Sequence, residues 1–426
     1  MIKNDLKGRD SMALMKGRAG TALERPIRIG THLVKNRFVI QPMECGDSDL
    51  RGGFSEDTLR RYDALFRGGA AVVVMESVTL QYESRARKHQ LLLDVNDPDN
   101  RAMWESFVRD KKLHYPNTLL IVQLNHSGEI SDDAFSRRVC VKPLPGFGGT
   151  LIDEAYVEQT IASYVQAARF LASIGADGVD LKFCHGYLGS QILRPYNDRC
   201  WKYGGSFENR SRFAFELCEK VRYAVPHASF LLGAKVSVHE GMTGGQGHAG
   251  PNSPIIDPSE SVRLCKGLES RGASFFIETL GNAVCSAQLM CPDKNGPDTV
   301  YQHITAAKLL RKNLRPETTV ICGGLSILRN GRNNGMQGAE PEKNNLFYWG
   351  NTCIDQGDFD MIALGRQSFA DPSLPAKYLS GRQADIHWCT CCNKCGALLG
   401  AQKRAGCAVY NPACAARYQA LQQLSK

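Results

Sequence analysis

The chain has 426 residues, 43% of them apolar and 22% charged. These values are close to the globular average and exclude a disordered or collagen-like polymer. The net charge of +9, from 52 basic and 43 acidic residues, is a mild bias at this length. It is compatible with anionic ligands such as phosphates or acyl-CoA esters. It does not indicate nucleic acid, because there is no basic block of five or six residues and no basic run interleaved with aromatics.

Residues 1–20 read as a disordered leader. Met1–Arg18 mixes Lys, Arg and Asp with no apolar h-region, so it is not a secretory signal. The longest apolar stretch beside a predicted strand, Ala70–Met75, is far too short to cross a bilayer, and no membrane partner is expected. Further along, short β-branched apolar runs recur at Asn36–Met43, Ala70–Ser77, Leu119–His126, Gly178–Cys184, Phe230–Ser237, Ala273–Gly281, Thr318–Gly324 and Asp360–Gly365. Helix-like segments lie between them, among them Ser55–Arg67, Asp153–Ser173, Ser206–Val225, Pro258–Glu269 and His303–Asn313. Alternation of this kind implies a parallel sheet, and near-continuous apolar strands imply that both its faces are covered. Eight repeats fit an α/β fold of the (β/α)8 TIM-barrel type over residues 21–385, followed by a short cysteine-rich segment over 386–426. A doubly wound open sheet is the competing topology.

A barrel carries its chemistry at the C-terminal ends of its strands. Those ends read Glu44-Cys45, Glu76-Ser77, Gln123-Leu124-Asn125-His126, Lys182-Phe183-Cys184-His185, Lys235, Gly323-Gly324 and Gly365-Arg366. The last two resemble phosphate holders: glycine lets backbone N–H groups approach, and Arg366 adds a charge-assisted partner. A plain turn-forming role competes for the glycines. Lys182 could equally pair with Asp180, two residues back on the same strand face. Two long loops, Ser127–Ile152 and His239–Asp257, have the length of functional loops. The second contains a G-x-G-x-x-G string, Gly245–Gly250, which is not a dinucleotide fingerprint because it neither abuts a strand nor opens a helix.

Cysteine is the anomaly. Six of the 16, Cys389, Cys391, Cys392, Cys395, Cys407 and Cys414, fall in the last 38 residues. Without a secretory signal, metal or cluster ligation is a better reading than disulfides. The spacing Cys389-x2-Cys392-x2-Cys395-x11-Cys407 suits an iron–sulfur cluster, with structural zinc as the alternative. Cys391 competes with Cys392 for the second position, and Cys414 falls outside the set. Cys140, Cys200, Cys218, Cys265, Cys285, Cys291 and Cys353 read as small apolar fillers.

Several strings together resemble the old yellow enzyme superfamily of FMN-containing barrels. They are Pro26-Ile27-Arg28-Ile29-Gly30, Lys35-Asn36-Arg37-Phe38, Pro42-Met43, His185-Gly186-Tyr187-Leu188 and Tyr203-Gly204-Gly205-Ser206-Phe207-Glu208-Asn209-Arg210, with Asn411-Pro412 behind the cysteines. The chain is most similar to the branch with a 4Fe-4S cluster that includes 2,4-dienoyl-CoA reductase and trimethylamine dehydrogenase. By this resemblance Cys389, Cys392, Cys395 and Cys407 hold the cluster. Pro42, Met43 and Ser77 line the FMN ring through their backbone, Gln123 binds its pyrimidine edge, and Lys235 stands where relatives carry Arg. Gly323, Gly324, Gly365 and Arg366 bind the phosphate. Lys182 and His185 stand at the carbonyl-polarising positions, and Tyr187, a phenol of ordinary pKa about 10, is the proton donor. Wall or core roles compete for Tyr187 and His185.

The resemblance implies an ene-reductase acting on an activated C=C bond of an enone, enoate or enoyl thioester, working in the cytoplasm. The alternatives are an amine or other substrate dehydrogenase or demethylase that passes electrons out through the cluster, and an electron-relay subunit. Glu44 departs from the Thr or Cys usual after Pro-Met. A carboxylate there is expected to make flavin reduction harder, unless Cys45 takes over the position. The chain ends soon after the cysteines, where larger relatives continue into FAD- and pyridine-nucleotide-binding domains. A separate electron-donor protein is therefore expected, with NAD(P)H as direct or indirect donor.

Overall fold

The computed structural model describes residues 21–332, 334–336 and 340–424, and the expected leader lies outside them. Eight parallel strands close a barrel in sequential order: β1 (Phe38–Ile40), β2 (Val72–Thr79), β3 (Leu119–Asn125), β4 (Gly178–Phe183), β5 (Leu231–Ser237), β6 (Phe275–Thr279), β7 (Thr319–Cys322) and β8 (Met361–Leu364), with β8 paired back to β1. Each expected strand is present, and the open sheet is excluded by closure. Helices α1 (Glu56–Arg67), α2 (Pro98–His114), α3 (Glu154–Ser173), α4 (Phe207–Ala224), α5 (Ser259–Glu269), α6 (Thr299–Asn313) and α7 (Leu346–Asp355) cross between strands. Several start where a side chain satisfies free backbone N–H groups: Ser55, Asp153, Ser206 and Asn345 each accept from the third residue on.

Strand alternation sorts the barrel interior into layers. Val39, Val72, Val74, Leu119, Ile121, Leu231, Phe275, Ile277, Ile321, Met361 and Ala363 form one aliphatic core inside it. A hairpin of Ile27–Ile29 and His32–Val34 caps the bottom by adding Ile29 and Val34 to that core. Continuing the inward-facing rows upward replaces aliphatic by polar residues: Gln123 follows Ile121, and Lys235 pairs in register with both Lys182 and Ile277. A register shift between Met75 and Val78 marks a bulge in β2. It sends Glu76 outward to Arg61 and the Cys45 N–H, while Ser77 Oγ reaches Lys182.

The loops on the upper face are tied by one buried cation. Arg194 donates to Glu129 Oε1 at 2.6 Å and to Glu240 Oε2 and Oε1 at 2.7 and 3.1 Å, and no side chain of the three is more than 2% exposed. Ser190, Asn282 and the Gln246 N–H also donate to Glu240. Burial works against the Arg194 charge, and the two carboxylates outweigh it and push its pKa up. Residues after β3, β4, β5 and β6 thus converge on one point. Removing one partner of a buried pair costs about 3–5 kcal/mol. Arg194→Met is accordingly expected to lower unfolding stability by that amount in denaturant titration, and adding Glu129→Gln and Glu240→Gln should recover much of it. A triple variant as unstable as the single one would mean that charge is not the cause.

Candidate functional site

The polar layer opens into a pocket on the upper face of the barrel. Of the residues expected there, Pro42, Met43, Gln123, Lys182, His185, Tyr187, Lys235, Gly324, Gly365 and Arg366 line it. Ser77 and Gly323 stand behind the wall. The Ser77 carbonyl accepts from Gln90 Nε2 at 2.8 Å and its hydroxyl holds Lys182, while the Gly323 N–H is taken by Glu278. Gly324 is required by packing: its φ is +73°, and a Cβ there would come within 2.3 Å of the His303 ring.

Tyr187 and His185 owe their places to the Arg194 knot. His185 is a non-glycine residue at φ +62°, followed by Gly186 at φ +84°. A Cβ on Gly186 would meet Asn282 Nδ2 at 2.5 Å and Arg194 Nη2 at 3.0 Å. The backbone is over-determined here, as strained functional positions require. His185 Nε2 shares a hydrogen bond with Thr279 Oγ1 at 2.8 Å. Burial and then the nearby Lys235 and Lys182 lower its pKa, so the ring is neutral.

The opposite wall holds a charged cluster. Tyr187 Oη donates to Glu44 Oε1 at 2.6 Å, and Lys182 Nζ donates to the same oxygen at 3.1 Å and to Ser77 Oγ at 2.7 Å. The Lys182 ammonium lies 3.2 Å from the centre of the Tyr187 ring. Arg87 Nε approaches Glu44 Oε2 at 3.4 Å. Three expectations are corrected. Lys182 pairs with Glu44, while Asp180 accepts from Gln123 Nε2 at 2.6 Å. The Tyr187 pKa is not the ordinary one: burial and then Glu44 push it well up. Cys45 does not stand in for Glu44 in the pocket, because it is fully buried with its thiol toward the Met43 carbonyl. The expected penalty of Glu44 on flavin reduction supposed a bare carboxylate, whereas here two cations face it.

The structure adds residues that no sequence pattern marked. Gln41 accepts from Lys235 Nζ at 2.8 Å, and Thr279, Arg87, Ser326 and Leu399 also line the pocket. Cys291 lines it too, and Cys200 and Cys285 are exposed, so these three are not core fillers. None of the sixteen cysteines is paired in a disulfide. Cys389 lies within electrostatic reach of both Cys395 and Cys407, and Cys392 lies within reach of Cys407. Cys391 is buried beside Cys389: its N–H donates to Cys389 Sγ at 3.4 Å, and its thiol lies 3.9 Å from both the Cys389 and the Ser326 carbonyl oxygens. Among the described residues, no three His, Cys, Asp or Glu side chains converge as ligands of a single metal ion. Cys414 is buried with Leu398, Ala405 and Ala408, within electrostatic reach of Cys407.

The cysteine segment is stitched to the barrel. The Ala405 N–H donates to the Cys45 carbonyl at 2.7 Å. Gln402 donates to the Ala86 carbonyl at 3.1 Å and to Asp132 at 3.0 Å, and it accepts from the Lys88 N–H at 3.1 Å. One glutamine therefore holds both neighbours of Arg87.

Comparison with known proteins decides the family: residues 22–263 match the model of the NADH:flavin oxidoreductase / NADH oxidase family. The chain belongs to that family. This places it in the old yellow enzyme superfamily. It is 28% identical over 375 residues to the NADH oxidase of Thermoanaerobacter brockii, covering 86% of this chain and 52% of that protein. It is 26% identical over 409 residues to the cinnamate reductase of Clostridium sporogenes, covering 91% and 57%. The chain thus spans about half the length of these relatives. A 2-naphthoyl-CoA reductase solved with 2-naphthoyl-CoA superposes with a TM-score of 0.76 at 21% identity, over 93% of this chain and 58% of that one, which shows a shared fold. Among the described residues, no helix is long and apolar enough to cross a membrane.

The Glu44 cluster carries its own pH signature in this flavin-family pocket. Burial opposes ionisation of Glu44, but Lys182, Arg87 and the Tyr187 hydroxyl outweigh it and hold its pKa down at about 2. A carboxyl depressed from about 4.5 stabilises the fold fully above that pH and loses its contribution as the pH falls toward 2. Glu44→Gln is expected to be less stable than the wild type at neutral pH, with the gap closing across that window in denaturant unfolding at stepped pH. A gap independent of pH would refute this assignment.

Proposed function

We propose that the chain is an FMN-dependent ene-reductase that adds hydride and a proton across the activated C=C bond of an enone, enoate or enoyl thioester. The observation that carries this reading is the pairing of a firmly protonated phenol, Tyr187, with an ammonium over its ring inside a pocket rich in cations. Lys182, Lys235, Arg87 and Arg366 line the pocket, against the single carboxylate Glu44. That balance suits neutral or anionic carbonyl substrates and disfavours a cationic amine, so the dehydrogenase alternative is set aside.

The residues fit FMN. Arg366 is buried and lines the pocket, and its Nη1 has no hydrogen-bond partner, as a waiting phosphate ligand would leave it. Gly324 and Gly365 border the same end. Gln123 and Lys235 would face the ring, where Lys235 would favour an anionic reduced flavin, and Pro42 and Met43 would form its wall. When bound, FMN supplies the hydride that goes to the β-carbon. His185 and Lys182 polarise the substrate carbonyl and stabilise negative charge developing on its oxygen. Tyr187 gives the proton on Oη to the α-carbon, giving up its hydrogen bond to Glu44 as it does so. Lys182 and Arg87 then stabilise the phenolate until solvent reprotonates it. Replacing a general acid of this kind costs about 10²–10⁴ in rate. Tyr187→Phe is therefore expected to bind FMN normally and to slow reoxidation of the reduced enzyme by 2-cyclohexenone within that range. A rate within about threefold of the wild type would remove Tyr187 from the reaction.

Cys389, Cys392, Cys395 and Cys407 are assigned to a 4Fe-4S cluster on their spacing, with Cys391 competing with Cys392 for the second position. Iron and acid-labile sulfide analysis should find about four of each per chain, lost in Cys392→Ala and kept in Cys391→Ala. The reverse pattern would exchange the two assignments. Electrons are assigned to a separate donor protein, with NAD(P)H upstream of it. Full turnover of purified enzyme with NADH alone would overturn that.

A further inference from the structure

We propose that Arg87 is the anchor for a substrate carboxylate, so that the pocket selects free α,β-unsaturated carboxylates over their esters, amides and thioesters. This rests on the ene-reductase reading above and narrows its substrate class. Arg87 lies on the loop between β2 and α2, and its side chain is 18% exposed at the pocket wall. Among the described residues its side chain meets two hydrogen-bonding partners, Glu44 Oε2 at 3.4 Å from Nε and the Tyr187 hydroxyl. A guanidinium carries five N–H donors, so two partners leave donors to spare. A planar cation so placed at a pocket wall can take a carboxylate through charge-assisted hydrogen bonds.

Charge balance points to the same ligand. With Arg366 assigned to the phosphate and Lys235 to the flavin ring, Lys182 and Arg87 remain against Glu44, an excess of one positive charge. Binding one carboxylate neutralises it, whereas an ester or amide leaves it in a low-dielectric pocket. Connectivity then sets the register of the reaction. In an enoate the α-carbon is bonded directly to the carboxylate carbon. A carboxylate on Arg87 therefore brings the α-carbon to the side of the pocket where Tyr187 Oη and Arg87 share Glu44 as partner. Glu44 serves as the counter-charge that keeps the two cations ordered before substrate arrives.

Flavin absorbance changes on titrating oxidised holoenzyme give the first test, with butyrate and butanamide as non-reacting probes. Butyrate is expected to bind at least tenfold tighter, with affinity falling as salt rises; equal affinities would overturn the proposal. Reoxidation of reduced holoenzyme by crotonate and by methyl crotonate gives the second. Arg87→Met should lose at least tenfold more kcat/KM on crotonate than on methyl crotonate, mostly through KM, and Arg87→Lys should recover part of that difference. Equal losses on the two substrates would overturn the proposal even if both variants remain active. If wild-type reduced enzyme is reoxidised by neither crotonate, methyl crotonate nor 2-cyclohexenone, the ene-reductase reading itself fails, an outcome separate from failure of the Arg87 assignment.

Discussion

A guanidinium sealed from water must have its charge answered on every side, and that requirement organises the upper face of this barrel. Arg194 meets it with two carboxylates drawn from the loops after β3 and β5, and Asn282 and Ser190 donate in turn to Glu240. The arrangement leaves no room for a side chain at residue 186. Glycine there, and the left-handed turn through His185, follow from packing against the ion knot. Tyr187 is therefore delivered to the pocket wall by an electrostatic constraint lying behind it. A phenol on a free loop would have no such support.

Above the aliphatic layers, the same inward-facing rows turn polar. Lys182 and Lys235 face each other across β4 and β5 in register, and two ammonium groups so placed need separate partners. Gln41 takes one and Glu44 with Ser77 takes the other. The ring of Tyr187 beside Lys182 adds a third, softer partner. The pocket thus keeps several cations in low dielectric without collapsing them onto one carboxylate.

The barrel was legible because its strands are buried on both faces and therefore read as unbroken apolar runs, each bounded by glycine or polar residues. The hairpin under the barrel was not legible: its strands are three residues long and alternate exposed with buried positions. Residues at strand ends, such as Gln123 and Arg366, could be picked out because barrel chemistry has a fixed address. Arg87, Thr279 and Leu399 could not, since each reaches the pocket by tertiary packing that leaves no local period. The Lys182–Glu44 pair was hidden for the same reason. Strand spacing brings Asp180 to the same face, but Glu44 comes from a different strand end, and only the closed barrel sets them 3.1 Å apart. Cys291 shows the limit of composition: a cysteine in an apolar context reads as filler until the fold turns it toward a cavity.

Gln402 has a consequence that reaches past the pocket. Its side chain belongs to the cysteine segment yet holds the backbone on both sides of Arg87, through Ala86 and Lys88. Two regions far apart along the chain therefore share one set of hydrogen bonds. Reciprocity follows by thermodynamic linkage: whatever tightens the segment sharpens the loop, and a ligand that orders the loop tightens the segment by the same factor. The cysteine-rich end of the molecule is in this sense a buttress of the pocket wall.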